Sequence, residues 1–429
     1  MLCSIRMHCA DLLSWLGVRA GVLKTVLGRF SLGLIASFLA QSWLPVNAFA
    51  ELRNWGGSFE VSSVGSVEDK VLWNLRPTFN LKGDQPFFDS RAWSLGVDLR
   101  LRADTQANFA RSESRYDFRI DKATLQWVGQ SAAVNLGWQK FTWGDTGFLD
   151  GVDVLNARDL SEPLYADDEL QKLAVPALSL QYLASSTVFQ LVVIPQPERS
   201  PFPENSGAVP LPDTEPFGFG EQFEFGLKAG GLLSSGWDIN GYLVSHIERV
   251  PQLRLIVSPQ QVEARLFEPR VFTLGLTATQ SFGALVFRSE GAIHINRALP
   301  EPGLQSEVSS DQFVINLSSD LTLFDDLLMS GQIWAEQWTA ASSSEFSNAN
   351  VLLGARVQKP LFSNRFDFYL GVLGSFASNE NLINSGFKFM AFDSWQVALD
   401  VYFAETSKGH ALARRQFKDL IRSSLKYQF

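Results

Sequence analysis

Histidine is the side chain that most often acts as a general base near neutral pH, so its positions bound the chemistry open to this chain. Beyond residue 50 the sequence contains His246, His294 and His410 only. His294 follows Glu290 by four residues and would share its face on a β-strand, whereas Ser289 would point to the other face. This spacing favours a polar cluster. A hydrolase that uses His294 as its base is a minor alternative.

Other catalytic patterns are missing from the sequence. It contains no Gly-x-Ser-x-Gly turn, no phosphate-binding loop and no residues at metal-ligand spacing. We therefore predict that the protein is not an enzyme and has no catalytic residue, no metal and no cofactor.

A long acidic segment extends from Trp143 to Pro176. It also contains many apolar residues, which gain free energy when they are removed from water, so we expect it to pack against the rest of the protein. Carboxylates with backbone carbonyls could hold Ca²⁺, but no EF-hand spacing is present. An ordered outer cap without a role in solute passage is an alternative. The charged residues of this segment are Asp145, Asp150, Asp153, Asp159, Glu162, Asp167, Asp168 and Glu169, with Arg158 and Lys172 as cations.

Charged residues also recur at every second position of otherwise apolar stretches. In residues 93–104, apolar side chains occupy most odd positions, and Asp98, Arg100, Arg102 and Asp104 occupy even ones. Side chains alternate between the two faces of a strand, so one face is apolar and the other charged. We count about 18 stretches of this kind, each near the ~9–11 residues of a tilted membrane-spanning strand. The pattern predicts an all-β fold, a transmembrane antiparallel up-and-down β-barrel of about 16–18 strands.

The connections between these strands alternate in length. Asn296–Asp311 is long and Gln280–Gly283 is short, and the other connections mostly follow the same rule. Bacterial barrels have short turns on the periplasmic side and long loops outside, whereas a soluble meander has no reason to alternate. Two of the expected periplasmic connections, Lys82–Ser90 and Ser319–Asp326, are predicted to be longer than the rest. A change of phase near Asp121 predicts a β-bulge.

The end of the chain fits this architecture. Leu425, Tyr427 and Phe429 alternate with polar residues, and the chain stops on the aromatic residue. The ending resembles the C-terminal signal of bacterial outer-membrane barrels, which implies the barrel assembly machinery and periplasmic chaperones as partners.

The beginning of the chain is predicted to be a cleaved signal peptide, residues 1–50, followed by the barrel, residues 51–429. An apolar run at 30–40 follows several positive charges, and Ala48-Phe49-Ala50 fits a small-x-small cleavage site. Both cysteines, Cys3 and Cys9, lie in this leader, as suits passage through an oxidising periplasm. The formal net charge of −9 argues against nucleic acid as a partner.

One region resembles a known family. Gly137, Gln139 and the Trp143-Gly144-Asp145 turn precede Asn156, Arg158, Asp159 and Leu160. This pattern is similar to porin-like proteobacterial outer-membrane proteins that are catalogued as a domain of unknown function. Trp138 and Ala157 stand where that family usually has Arg and Pro. The likeness covers residues 132–203, and the first half is more distantly similar to alginate-export barrels. The resemblance implies an outer-membrane pore or exporter component without naming a substrate.

These features predict a porin or channel in the outer membrane of a Gram-negative bacterium, surrounded by lipid and passing or exporting a small or amphipathic solute. The alternative is a closed receptor or adhesin barrel that displays long surface loops. Charges that face a pore sort solutes by sign, and Arg100 and Arg102, adjacent on one face, are the best candidates for a patch that attracts anions. The pore-lining candidates are Asp98, Arg100, Arg102, Asp104, Arg119, Arg288, Glu290, His294, Arg356, Asp400, Arg422 and Lys426. We expect the segment Trp143–Pro176 to fold onto or into the mouth of the barrel and to narrow it. The candidates for this constriction are Trp143, Asp145, Asp150, Asp153, Arg158 and Asp159.

Overall fold

A computed structural model describes most of the predicted barrel. The described residues are 55–66, 72–87, 90–103, 116–144, 149–159, 171–200, 222–249, 252–257, 262–298, 309–324, 326–339, 349–375, 381–405 and 419–429. The predicted leader, Asp104, Asp145, Glu162 and His410 lie outside these ranges. No helix in the described ranges is long and apolar enough to cross a membrane.

The described residues contain twenty strands. They are β1 (Trp55–Ser66), β2 (Leu72–Phe87), β3 (Ser90–Ala103), β4 (Tyr116–Val128), β5 (Ala132–Gln139), β6 (Val175–Ala184), β7 (Thr187–Ile194), β8 (Glu224–Leu232), β9 (Asp238–Ile247), β10 (Gln252–Val257), β11 (Val262–Phe267), β12 (Arg270–Phe282), β13 (Leu285–Ala298), β14 (Ser309–Leu323), β15 (Leu327–Trp338), β16 (Ala349–Leu361), β17 (Phe366–Ser375), β18 (Asn381–Phe392), β19 (Trp395–Glu405) and β20 (Leu420–Gln428).

Eighteen of these strands close into one antiparallel ring. Each strand pairs with the next along the chain, except that β9 pairs with β12, so β10 and β11 form a separate hairpin. The ring closes where β20 pairs with β1 over nine residue pairs, from Ser58 with Gln428 to Ser66 with Leu420. The predicted class and strand number are confirmed. A closed ring leaves no unpaired edge, which is the condition for a sheet to span a membrane.

The alternation of connection lengths is also confirmed. At the end of the barrel that holds Trp55 and Phe429, successive strands are joined by two to five residues, and the connections at the other end contain five to 35. The prediction that two of these connections are longer was wrong, because β2 continues to Phe87 and β14 continues to Leu323. Several short turns use left-handed backbone, as at Ser185 with φ 55° and Gly283 with φ 62°. Such turns match the twist of the strands that they join.

The two faces of the wall differ in polarity as the sequence predicted. Large apolar side chains point outward, and Phe118, Leu276 and Ile315 are 57–61% exposed. Polar side chains such as Thr273 and Asn316 point inward and are fully buried. The outer face is thus suited to lipid and the inner face to water and polar contacts.

The predicted bulge is present at Asp121. Asp98 pairs with Lys122 and the next residue, Leu99, pairs with Ile120, so Asp121 has no partner on β3. The extra residue turns the buried Asp121 carboxylate into the barrel, where it contacts Arg100 and Lys140.

The seam between β1 and β20 is built around the last residue. The Phe429 amide donates to the Gly57 carbonyl at 3.0 Å, and the Gly57 amide donates to the Phe429 carbonyl at 2.9 Å. The Phe429 ring stacks with Phe79 and Tyr427 at centroid distances of 6.1 and 6.2 Å. A Cβ on Gly57 would lie 2.7 Å from this ring, so the position has no room for a side chain. The assembly signal of Leu425, Tyr427 and Phe429 stays a prediction, but the seam gives these residues structural contacts as well.

Candidate functional site

The described parts of the acidic segment lie inside the barrel. We call residues 141–144, 149–159 and 171–174 the strap, and residues 149–152 its tip. The strap leaves the wall after β5, crosses the lumen and returns to begin β6. It contributes Phe141, Trp143, Val152 and Leu155 to a buried apolar cluster. The wall contributes Val175, Ala177, Val192, Ile194, Tyr242, Val244, Ala292 and Val314 to the same cluster.

Glycines in the wall let the strap approach closely. Trp143 lies over Gly226 on β8, where a Cβ would be 2.6 Å from the indole ring. Val152 lies over Gly275 on β12, where a Cβ would collide with the Val152 methyl group. The Trp143 indole also donates to the Gln190 amide oxygen at 3.2 Å and lies 5.5 Å from the Tyr242 ring. Larger residues at either glycine would push the strap away from the wall.

We call residues 153–159 the root of the strap and residues 141–144 and 171–174 its two limbs. Hydrogen bonds and ion pairs join the root to both limbs. The Asn156 amide oxygen accepts from the Phe141 backbone at 2.7 Å, and its amide nitrogen donates to the Leu173 carbonyl at 2.6 Å. The buried Asp153 carboxylate lies 2.7 Å from the Lys172 ammonium and 3.1 Å from the Arg158 guanidinium. These contacts bring the outgoing and returning limbs together and satisfy their buried polar groups.

Arginines on β3 and β4 hold the root of the strap at Asp159. The Asp159 side chain is fully buried and lies 2.5 Å from the Arg119 guanidinium and 3.9 Å from that of Arg102. Arg102 also contacts Asp117 at 3.0 Å, and Arg100 contacts Asp121 at 2.6 Å. The predicted role of Arg100 and Arg102 in attracting anions stays a prediction. Their observed contacts are ion pairs within the protein, which neutralise part of their charge.

Near the end of β9, a buried ion pair also holds the strap. The Arg249 guanidinium lies 2.7 Å from the Glu224 carboxylate, donates to the Leu155 carbonyl at 2.6 Å, and is 9% exposed. The Glu224 side chain is fully buried and also accepts from the Ile247 backbone amide at 2.7 Å. Arg249 therefore joins the end of β9 to the middle of the strap.

A second ion pair lies beside it at the same end of the barrel. The Glu248 carboxylate follows β9 directly and lies 2.7 Å from the Arg297 guanidinium. Burial raises the pKa of the Glu248 carboxyl, but Arg297, together with His294 and a hydrogen bond from the Arg249 backbone, lowers it by more, so the pKa lies below its usual value. The ionised form of Glu248 is thus favoured in the folded protein.

The tip of the strap reaches the far wall. The Leu149 carbonyl accepts from the Asn316 amide at 2.6 Å and from the Gln332 amide at 2.8 Å. The Leu149 side chain packs with Trp334 against Leu352, Leu373 and Leu382 on β16, β17 and β18. The strap leaves the wall after β5 and its tip contacts β14–β18, so it divides the lumen.

Most of the remaining predicted pore-lining residues also face inward. Arg288 pairs with Asp320 at 2.6 Å, and Arg422 pairs with Glu60 at 3.2 Å. The Arg356 guanidinium stacks over the Tyr369 ring at 4.8 Å, and the Tyr369 hydroxyl donates to the Asp400 carboxylate at 2.5 Å. Glu290 does not face open lumen but binds the strap. Whether these residues line a conducting pore stays a prediction.

The two described histidines do not form a catalytic arrangement. The Thr273 hydroxyl lies 2.8 Å from the His294 Nδ1 and 3.1 Å from the His246 Nε2, and both imidazoles are buried. Glu290, the predicted carboxylate partner, binds the backbone of the strap instead. The buried polar cluster that the structure shows at His294 is formed with Thr273 and His246. Among the described residues, no group of three or more His, Cys, Asp or Glu could hold a metal ion.

Several residues that hold the strap were not singled out by sequence reasoning. They are Glu224, Arg249, Asn316 and Gln332. Glu224, Asn316 and Gln332 take inward positions of their strands, so alternation gives their faces, whereas Arg249 lies two residues beyond β9, where alternation gives none. Nothing in the local sequence indicates a partner more than 90 residues away.

Comparisons with known proteins identify the fold. No protein-family model matches the chain, and no curated protein matches it. Solved structures that it resembles include OccAB2 from Acinetobacter baumannii (TM-score 0.55, 8% identity, 89% of this chain and 99% of that one). OccK10 (OpdN) from Pseudomonas aeruginosa gives a TM-score of 0.53 at 10% identity, covering 88% of this chain and 98% of that one. The outer membrane protein opdK from the same organism gives 0.54 at 9% identity, covering 88% and 98%. At these identities the likeness shows a shared 18-stranded barrel architecture.

Proposed function

We propose that the protein is a channel in the outer membrane of a Gram-negative bacterium, which passes or exports a small or amphipathic solute. The observation that carries the proposal is the strap, which crosses the lumen and is fixed to both sides of the wall. A segment in this position narrows an aqueous passage without requiring a separate plug domain. The similar solved structures are outer-membrane porins, which supports the same reading.

The strap and its apolar cluster fill one side of the lumen, which leaves the rest of the lumen for a passage. Among the described residues, the large apolar cluster of the strap includes wall residues from β6, β7, β9, β13 and β14 and none from β1, β2 or β18–β20. Charged residues face inward from these last five strands. The cations are Arg76, Lys82, Lys388, Arg422 and Lys426, and the carboxylates are Glu60, Asp84 and Asp400. The excess of cations favours anionic over cationic solutes.

Folding of this barrel would require partners outside the chain. Surrounding lipid is expected from the apolar outer face. We propose that the barrel assembly machinery and periplasmic chaperones recognise Leu425, Tyr427 and Phe429. The likeness to porin-like proteobacterial proteins of unknown function, based on residues 132–203, belongs to the same proposal.

Conductance in planar lipid bilayers is the direct test. We expect purified protein to produce unitary current steps, with a reversal potential under a potassium chloride gradient that shows anion preference. A bilayer that stays silent with folded protein, for both the wild type and a variant lacking the tip, would contradict a channel.

The alternative function is a surface receptor or adhesin. The observation in its favour is that the described parts of the long loops contact one another: Ser200 accepts from the Arg158 backbone and its own amide donates to the Arg249 carbonyl. Arg199 also pairs with Glu268 at 2.6 Å. This alternative predicts ligand binding to whole cells without conductance.

A further inference from the structure

The tip of the strap is fixed near the middle of the barrel wall by three polar side chains. Glu290 is in the central part of β13, Asn316 is in the central part of β14, and Gln332 is in the central part of β15. All three are at most 4% exposed. Asn316 pairs directly with Glu290 on β13, and on β15 it pairs with Trp334, which is two residues from Gln332.

Glu290 contacts the strap at two places. Its Oε1 accepts from the backbone amides of Gly151 and Val152, the second at 2.8 Å. Its Oε2 would lie 2.9 Å from a Cβ on Gly144, so the carboxylate fills the space beside both the outgoing limb and the tip. Hydrogen bonds to an ionised acceptor are stronger than neutral ones, particularly when they are buried.

Asn316 and Gln332 complete the contact from the other side of the tip. Both amides donate to the Leu149 carbonyl, and the Gln332 amide also donates to the Asn316 amide oxygen at 2.9 Å. The tip therefore presents donors to Glu290 and an acceptor to Asn316 and Gln332. This complementarity fixes both the position and the orientation of its backbone.

The root of the strap does not depend on these three residues. Asp153, Asn156 and Asp159 bind groups on the strap itself and on β4, and Arg249 binds Leu155 from the end of β9. Loss of the three polar contacts would thus loosen residues 149–152, which would keep only the apolar packing of Leu149 and Val152, while the rest of the strap stays folded.

We propose that Glu290, Asn316 and Gln332 are positioning residues that hold the tip against the wall and thereby set the width of the passage. This inference rests on the proposed channel function. It assigns the width to these three contacts and not to the carboxylates of the strap itself.

The first experiment measures the position of the tip without measuring current. Val152 is fully buried, and a Val152→Cys change introduces the only cysteine of the chain beyond residue 50. We expect little labelling of this cysteine by a membrane-impermeant maleimide in the otherwise unchanged protein. Adding Glu290→Ala should increase the labelling rate about tenfold, because two buried amides lose their acceptor. Glu290→Gln keeps an acceptor oxygen at this position and should leave the cysteine protected.

The second experiment measures single-channel conductance. Glu290→Ala should raise it about twofold, because the constriction widens, and Glu290→Gln should leave it near the wild-type value. The Asn316→Ala, Gln332→Ala double variant removes both donors to Leu149 and should act in the same direction as Glu290→Ala. It carries the test if Glu290→Ala fails to assemble.

A disulfide provides the reversal. A Cβ on Gly151 would lie 3.5 Å from the Ala292 Cβ, which is within the range of natural disulfides. It would also lie 2.8 Å from the Glu290 Oε1, so the Gly151→Cys, Ala292→Cys pair is made in the Glu290→Ala background. Oxidation should return conductance to the wild-type value, and reduction should raise it again. The two single-cysteine variants control for the effect of each substitution.

The outcomes separate this inference from the channel proposal. Unchanged labelling in both Glu290→Ala and the double variant would overturn it, since the tip would stay docked without these contacts. Increased labelling with unchanged conductance would also overturn it, because the tip would not set the width. Increased labelling in a protein that never conducts would leave the three residues as positioning groups for the strap and would contradict the channel function and the assignment of a pore width.

Discussion

The buried charge of Glu224 is paired with Arg249. Its side chain is fully buried and its ion-pair partner is the Arg249 guanidinium at 2.7 Å. Removing one member of a buried pair leaves an uncompensated charge and typically costs ~3–5 kcal/mol. We expect Arg249→Met to lower the free energy of unfolding by about 3 kcal/mol, measured by urea titration of the barrel in lipid bilayers. Glu224→Gln on top of Arg249→Met should recover part of the loss.

A surface pair gives the matched control. Lys359 and Asp326 are joined at 2.6 Å, but their side chains are 37% and 43% exposed. Exposed pairs contribute ~0–1 kcal/mol, so Lys359→Met should have little effect. Equal losses for Arg249→Met and Lys359→Met would contradict the role given to the buried pair. Sequence alternation identifies Glu224 as inward, but it cannot distinguish a residue that faces water from one that is paired under the strap.

The closing strand illustrates what can be predicted at the scale of an element. The alternation of Leu425, Tyr427 and Phe429 correctly predicts β20, because aromatic residues on one face give a clear signal. Its partner β1 was missed, since Gly57, Ser63 and Gly65 interrupt the apolar pattern of its outer face. Of these, Gly57 admits the Phe429 ring, which occupies the space of a Cβ. One residue that weakens the sequence signal of β1 is therefore also one that lets the seam form.

This arrangement predicts that one glycine is needed for closure. A Cβ on Gly57 would collide with the Asn80 carbonyl oxygen as well as with the Phe429 ring. We expect Gly57→Ala to lower the fraction of folded barrel, measured by the heat-dependent shift in gel mobility. Gly291 is the control, because a Cβ there would have its nearest neighbour at 4.0 Å. A Gly291→Ala variant that folds as poorly as Gly57→Ala would show that loss of glycine, and not the collision, is responsible.

At the scale of the whole molecule, the barrel follows from local patterns and the division of its lumen does not. Connection lengths and face polarity repeat along the chain, so strand number and orientation can be read from short windows. The contacts of the tip join Leu149 to Asn316 and Gln332, separated by 167 and 183 residues. No local pattern encodes such a pairing. The sequence predicted that the acidic segment would be covered, since its apolar residues require it, but not which wall would cover it.

The division predicts two regions of different water access within one lumen. Lys82 and Lys426 face inward from β2 and β20, away from the apolar cluster, whereas Val192 and Val244 are fully buried beneath the strap. The chain has no cysteine beyond residue 50, so single cysteines can be placed at each position without interference. We expect Lys82→Cys and Lys426→Cys to react readily with a charged thiol reagent and to change the conductance when modified. Val192→Cys and Val244→Cys should stay unreactive, because water has no access to the packed side. Equal reactivity at all four positions would contradict this division, because it would mean that the passage runs on both sides of the strap. In that case Glu290→Ala, which removes tip contacts, should leave the reactivities of the four cysteines unchanged.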